Sequence, residues 1–302
     1  MNYITILDIY KKNQYIITVF FMSKQKTLHK STSYSGIALH TGVRSTLRFL
    51  PCDANSGITF RRIDLPGKPE VRALANKVVD VRRGTTIGEG ACVAHTVEHI
   101  MASLHALNID NAIVEMDGPE PPIADGSSLP FWQVIKAAGT DEQAAEARVF
   151  VPAKPLFVDA GVTTLVMLPS ENPELRISCT TSFKGCPIDP QYLDIVINAD
   201  TFDSDICGAR TFVNYSDLGQ LLAMGLCKGG SLDNAEIIHD GAIICKDGLR
   251  YENEIVRHKI LDLVGDLFLC GARVTGHVIA VKPGHHRNVE LAGLIMQEIA
   301  KQ

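Results

Sequence analysis

The sequence predicts an α+β fold in which one arrangement of strands and helices is used twice. Three observations predict it. Short β-type runs are followed by helical stretches in the first half of the chain, and the same order recurs in the second half. Between the halves, Gly139-Thr140-Asp141-Glu142 reads as a helix stop followed by a polar linker. Strand runs that give way to helices imply α+β layers. The division that follows is a first domain over residues 23–142 and a second over 143–302.

Residues 27–83 hold the first β-type runs, among them Thr46-Leu47-Arg48-Phe49-Leu50 and Gly57-Ile58-Thr59-Phe60. A helix is expected at 92–107, a strand in the apolar run Asn111-Ala112-Ile113-Val114-Glu115-Met116, and a helix at 129–138. In the second half, strands are expected within 156–168 and 175–181, a helix at 254–269, a strand at 273–282 and a helix at 287–300. The helix at 254–269 is supported by Val256, Ile260, Leu263, Val264 and Leu267, which follow the spacing of a core-facing stripe. Residues 215–226 place apolar side chains at Leu218, Leu221, Leu222 and Leu226, with Met224 between, which fits an amphipathic helix facing a core.

The first residues stand apart. Lys11 and Lys12 precede Tyr15-Ile16-Ile17-Thr18-Val19-Phe20-Phe21, superficially a secretion signal, but the apolar run is short and no small-residue cleavage site follows. Residues 1–22 are therefore expected to be a disordered extension or an upstream start. No other stretch approaches the roughly 18 apolar residues of a membrane span, so stable membrane insertion is not expected.

Composition narrows the function classes. The 302 residues suffice for two domains, and 46% hydrophobic with 21% charged residues is the balance of a globular protein. A net charge of −5 argues against nucleic acid as a partner, because phosphate binding needs a basic excess. Eight cysteines are scattered without a C-x-x-C pair. They read as reduced thiols of a cytoplasmic protein, not as a disulfide framework or a thiolate zinc site.

Two polar clusters interrupt the apolar helical stretches. In Arg257-His258-Lys259-Ile260-Leu261-Asp262, the residues His258 and Asp262 are four apart, so on a helix they share one face and can close on one ion. In His95-Thr96-Val97-Glu98-His99, the adjacent Glu98 and His99 would point about 100° apart on a helix, one toward a metal and one toward its water. Two histidines, a carboxylate and an open position describe catalytic rather than structural zinc. Each cluster is weak alone. A His and an Asp at this spacing are more often a solvated pair, and His95 with His99 form a second candidate metal pair. The usual zinc-protease helix needs Glu after its first His, where Thr96 stands.

Further strings occur in order: Ser35-Gly36-Ile37-Ala38-Leu39-His40-Thr41-Gly42, Thr96-Val97-Glu98-His99 and Gly118-Pro119-Glu120-Pro121-Pro122-Ile123-Ala124-Asp125-Gly126-Ser127, then Ala209-Arg210-Thr211-Phe212, Gly225-Leu226-Cys227-Lys228-Gly229-Gly230-Ser231, Arg257 to Leu267, and Lys282-Pro283-Gly284-His285. Together they make the chain, from about residue 25 onward, resemble the UDP-3-O-acyl-N-acetylglucosamine deacetylase family, zinc amidases of lipid A biosynthesis.

The resemblance implies two βα domains that sandwich their helices between two sheets, with the site at the junction. It implies one Zn²⁺ held by His99, His258 and Asp262, with Glu98 as general base. The Thr211 hydroxyl would donate to the oxyanion and His285 to the departing amine, with Asp266 raising the imidazole pKa. Lys259, Lys282, Phe212 and Phe183 would contact the UDP-linked acylated amino sugar. The insert around 215–226 would form an apolar passage for the acyl chain. The family commonly shows an aromatic followed by His-Pro where this chain has Phe183-Lys184-Gly185-Cys186-Pro187, which puts the uracil contact of Phe183 in question. His40 matches a family histidine near the site without an assigned role, and Asp125-Gly126-Ser127 is expected to be a turn and helix-cap element. His95, His105, His239, His277 and His286 are expected to be structural. The enzyme is expected to act as a cytoplasmic monomer.

Overall fold

The strand Arg44–Leu50 buries Ser45, Leu47 and Phe49 and turns the residues between them outward, so one face of its sheet meets a core. The same alternation occurs in Leu175–Thr181, which buries Leu175, Ile177, Cys179 and Thr181. These strands belong to two five-stranded sheets in a computed structural model that describes residues 23–182 and 189–301. The expected N-terminal extension and Phe183 lie outside the described residues.

The first sheet has the order Thr32–Ile37, Arg44–Leu50, Ala112–Met116, Ile58–Arg62, Glu70–Arg72. The second has the order Leu156–Asp159, Thr164–Leu168, Gly276–Val281, Leu175–Thr181, Gln191–Ile197. In each, the last strand in sequence is central, and it runs parallel to the third strand while every other pairing is antiparallel. The repeat expected from element order is thus also a repeat of topology. Each half inserts a three-stranded sheet before its central helix: Val78–Asp80, Thr86–Glu89 and Cys92–Ala94 in one, Phe212–Asn214, Glu236–His239 and Ala242–Ile244 in the other.

The two central helices, Glu98–Ala106 and Glu254–Phe268, pack on each other in the middle of an α+β sandwich. Every residue of the first is buried, and in the second only Arg257 and Lys259 are not. A helix buried all round belongs to the inside of a layered fold. Their approach depends on Gly265, where an added Cβ would lie 2.0 Å from the Glu98 carbonyl oxygen. No rotamer relieves a backbone clash, so Gly265→Ala is expected to destabilise the protein by about 3 kcal/mol or more, above the usual cost of overpacking. Urea unfolding checks this; an unchanged midpoint would show that the helices can separate freely.

Several boundaries differ from expectation. The helix at 92–107 begins only at Glu98, because Cys92–Ala94 pairs with Thr86–Glu89 and Thr96 has φ +51°, which breaks any helix before it. A three-residue apolar run reads equally as strand or helix. The proposed linker after Gly139 is instead a strand, Thr140–Glu146, paired antiparallel with Lys24–Leu28. Its polar sequence reflects exposure on a two-stranded edge. The strand at 273–282 is broken at Thr275, and the last helix begins at His285, two residues earlier than expected. The helices Leu129–Ala138 and Tyr215–Ala223 stand where the sequence placed them.

Candidate metal centre

Glu98 and His99 open the first central helix, where Thr96 turns the chain and the Val97 N–H bonds the Thr85 carbonyl. His258 and Asp262 face them from one side of the second. The Asp262 Oδ1 lies 3.4 Å from His258 Nε2 and 3.8 Å from His99 Nε2, and the three donor atoms all lie within 4.8 Å of one another. Ligand atoms at about 2.1 Å from a tetrahedral ion are roughly 3.4 Å apart, so this triangle suits a zinc-sized ion. Asp262 Oδ1 is buried with no hydrogen-bond donor among the described residues, while Oδ2 accepts from Lys259 Nζ at 2.7 Å. Buried carboxylate oxygens normally have a partner. An ion at this point would supply one.

The electrostatics suit ligation. Burial pushes the His99 imidazole down to about 3 and lowers that of His258, which keeps both neutral. Burial opposes the charge of Asp262, yet His258 and Lys259 outweigh it and hold the carboxyl well below its ordinary range. His258 Nδ1 stands 3.0 Å from the Ala209 carbonyl; with the proton on that nitrogen, Nε2 is left with its lone pair toward the cluster.

Beside this triangle stand Glu98 and His285. Glu98 is 2% exposed; its Oε2 accepts from the Thr85 N–H at 2.9 Å, and Oε1 lies 3.9 Å from His285 Nε2. Burial raises its carboxyl to about 7, against the pull of His285. His285 Nδ1 lies 3.0 Å from Asp266 Oδ2. Burial disfavours the imidazolium, but Asp266, then Glu98 and Asp262, more than offset this and raise it to about 9. Asp266 is fully buried and also accepts from Thr85 Oγ1 at 2.6 Å and Asn288 Nδ2 at 2.9 Å. The arrangement can pair a neutralisable carboxylate with a cationic imidazole across one reaction space. Glu98, Asp262 and His285 also form a second set of donor atoms within 4.8 Å.

The other sequence candidates divide. Thr211 and Phe212 line a cavity of about 330 Å³ with Val213, Leu218, Leu221 and Ile237, and the Phe212 ring is 6.3 Å from that of His258. The insert helix therefore faces a cavity with Leu218, Leu221 and Leu222, while Leu222 and Met224 are exposed. Lys259 Nζ sits 5.2 Å over the Phe212 ring, besides its bond to Asp262. Lys282 has φ +52° at the end of its strand, and among the described residues no hydrogen bond or ion pair of its side chain joins it to the cluster. His95 does not pair with His99: it precedes the helix, and its Nδ1 lies 3.0 Å from Thr86 Oγ1. The His40 backbone N–H donates to Glu120, and its ring lines the cavity. Asp125-Gly126-Ser127 takes the expected turn, with Ser127 Oγ accepting from the Leu129 N–H.

Sequence reasoning missed Thr85, which ties Glu98 to Asp266, and also Asn288, the Ala209 carbonyl and the role of Gly265. Thr85 acts through its backbone N–H on Glu98 and its hydroxyl on Asp266, 181 positions away, and neither contact leaves a local pattern in the sequence.

The family model described as UDP-3-O-acyl N-acetylglycosamine deacetylase matches residues 25–297. Among curated proteins, the chain is 41% identical over 267 residues to the UDP-3-O-acyl-N-acetylglucosamine deacetylase of Geobacter sp. (strain M21), covering 88% of this chain and 87% of that one. It is 42% identical over 274 residues to the protein of the same name from Myxococcus xanthus (strain DK1622), covering 91% and 87%. The corresponding protein of Chlamydia pneumoniae is 40% identical over 277 residues, covering 91% and 98%.

Proposed function

Since the chain belongs to the UDP-3-O-acyl N-acetylglycosamine deacetylase family and is a hydrolase of that kind, we propose that it removes the N-acetyl group of UDP-3-O-acyl-N-acetylglucosamine with one bound zinc ion. The observation that carries the metal assignment is the orphaned Asp262 Oδ1 between the free nitrogens of two neutral histidines. A zinc ion held by His99, His258 and Asp262 would supply Lewis acidity to the water and the acetamide carbonyl.

Glu98, buried and raised to about 7, accepts the proton of the attacking water at Oε1. The hydroxyl of Thr211, a residue that lines the apolar cavity, donates to the developing oxyanion. The His285 imidazolium gives its Nε2 proton to the departing amine, which must leave protonated because an amide anion is a very poor leaving group. Asp266 holds His285 by Nδ1 and keeps it cationic. The acyl chain occupies the cavity lined by Leu218, Leu221 and Val213. Lys259, Lys282 and Phe212, with Phe183, serve the UDP-sugar portion.

We place the enzyme in the cytoplasm as a monomer. The described cysteines are all unpaired thiols, as a reducing compartment requires, and no described helix is long and apolar enough to cross a membrane. Acetate release tests the substrate assignment. The UDP-linked acyl substrate should exceed the same sugar without its chain by roughly 10²-fold in kcat/KM, the worth of about four buried CH₂ groups. Equal turnover of the sugar lacking UDP or the chain would point to an amidase for a different acylated amino sugar.

A further inference from the structure

A cluster of charged side chains is buried away from the reaction space. Arg210, 3% exposed, lies between two carboxyls, Glu236 and Glu254, that are fully buried. Its Nε donates to Glu254 Oε1 at 2.9 Å, and its Nη2 reaches Glu254 Oε2 at 3.1 Å, Glu236 Oε1 at 3.2 Å and the Gly248 carbonyl at 2.8 Å. The Arg210 and Arg250 N–H groups complete the shell of Glu254, at 3.0 and 2.6 Å. Burying three such groups is costly, and stability alone is a weak reason for it.

The position of the network supplies a better one. Arg210 stands between Ala209, whose carbonyl faces His258 Nδ1 at 3.0 Å, and Thr211, whose carbonyl accepts from the Glu236 N–H at 2.9 Å. Glu254 heads the central helix one turn before His258. Glu236 heads the strand Glu236–His239, which pairs in parallel with Phe212–Asn214 and contributes Ile237 to the cavity wall. We propose that Arg210, Glu236 and Glu254 form a positioning network that fixes the Ala209 carbonyl orienting His258, and so ties the wall of the apolar cavity to the metal centre. The proposal rests on the zinc-deacetylase reading above.

The two carboxyls differ. Glu236 Oε2 is buried with no donor among the described residues, and burial, then the neighbouring Glu254, raises its carboxyl above the ordinary range. Burial opposes the charge of Glu254, but the Arg210 donors outweigh it and hold it near 2. The Arg210 and Arg250 donors thus favour the ionised form of Glu254 far more than that of Glu236, which takes a single Arg210 contact. A Gln at 236 can still accept the single Arg210 contact through its amide oxygen, whereas a Gln at 254 replaces one of the two oxygens that accept from Arg210 and Arg250 with a donor.

The test titrates zinc into metal-free wild-type protein, Arg210→Lys, Glu236→Gln and Glu254→Gln, and measures kcat and KM for the acylated substrate on each zinc-loaded protein. Loss of a group that orients a metal ligand typically costs 10–100-fold in affinity or activity, so roughly that loss is expected in zinc affinity and kcat for Arg210→Lys and Glu254→Gln, with KM nearly unchanged. Glu236→Gln should lose much less. A lowered melting temperature with wild-type zinc affinity and kcat in Arg210→Lys would make the network structural only and overturn the proposal. Equal losses in Glu236→Gln and Glu254→Gln would overturn the leading place given to Glu254, which takes most of the donors in the network. If Glu254→Gln fails to fold, Arg210→Lys decides between these outcomes. Failure of the wild type itself to bind zinc would instead sink the metal reading.

Discussion

Replacing Glu98 with Gln is expected to lower kcat by roughly 10²–10⁴-fold, the usual worth of general-base catalysis, while leaving the metal in place. Gln keeps the size of Glu, and its amide oxygen can still accept from the Thr85 N–H that now bonds Oε2 at 2.9 Å. What it cannot do is take a proton. The distinction matters because Glu98 also belongs to the second set of donor atoms, with Asp262 and His285. Metal content of the purified variant separates the two roles. A Glu98→Gln protein that has lost its ion would make Glu98 a ligand and would require the place of His99 in the triangle to be reconsidered.

His285→Ala should have a comparable effect, with a signature in pH. The acid must be charged to donate, so its contribution is complete below its pKa and fades as pH rises through about 9. The base must be ionised, so activity climbs with pH through the pKa of Glu98, about 7 without a metal and lower beside a bound dication. The profile of kcat/KM is therefore a bell whose basic limb belongs to the imidazolium. Asp266→Asn removes the nearest charge that favours the cation, and the basic limb should move to lower pH. His286 is exposed and serves as the control: His286→Ala should leave the bell intact. A basic limb that survives unchanged in His285→Ala would assign the acid elsewhere.

The parts of the site legible in the sequence were those where chemistry interrupts an apolar pattern. His258 and Asp262 at helical spacing, and Glu98 beside His99, stood out because charged and titratable residues are rarely placed inside buried helices without a partner. Strand Leu175–Thr181 and helix Leu129–Ala138 were legible from their own periodicity. The remainder depends on contacts distant in sequence. Thr140–Glu146 is a strand only because Lys24–Leu28 lies beside it, and its polar residues read locally as a linker. Gly265 looks like an ordinary helical glycine until the Glu98 carbonyl is seen against it. The ambiguity between His95 and His99 was resolved by the backbone turn at Thr96, a conformation that its side chain does not announce.

The central claim is that one ion sits where the two central helices cross, held by one histidine from the first and a His and an Asp from the second. Metal analysis of dialysed protein tests it directly, comparing the wild type with His99→Ala and His258→Ala alongside acetate release. The wild type should retain one zinc per chain, and each variant should lose metal and activity together. Full zinc occupancy in both single variants would contradict the account.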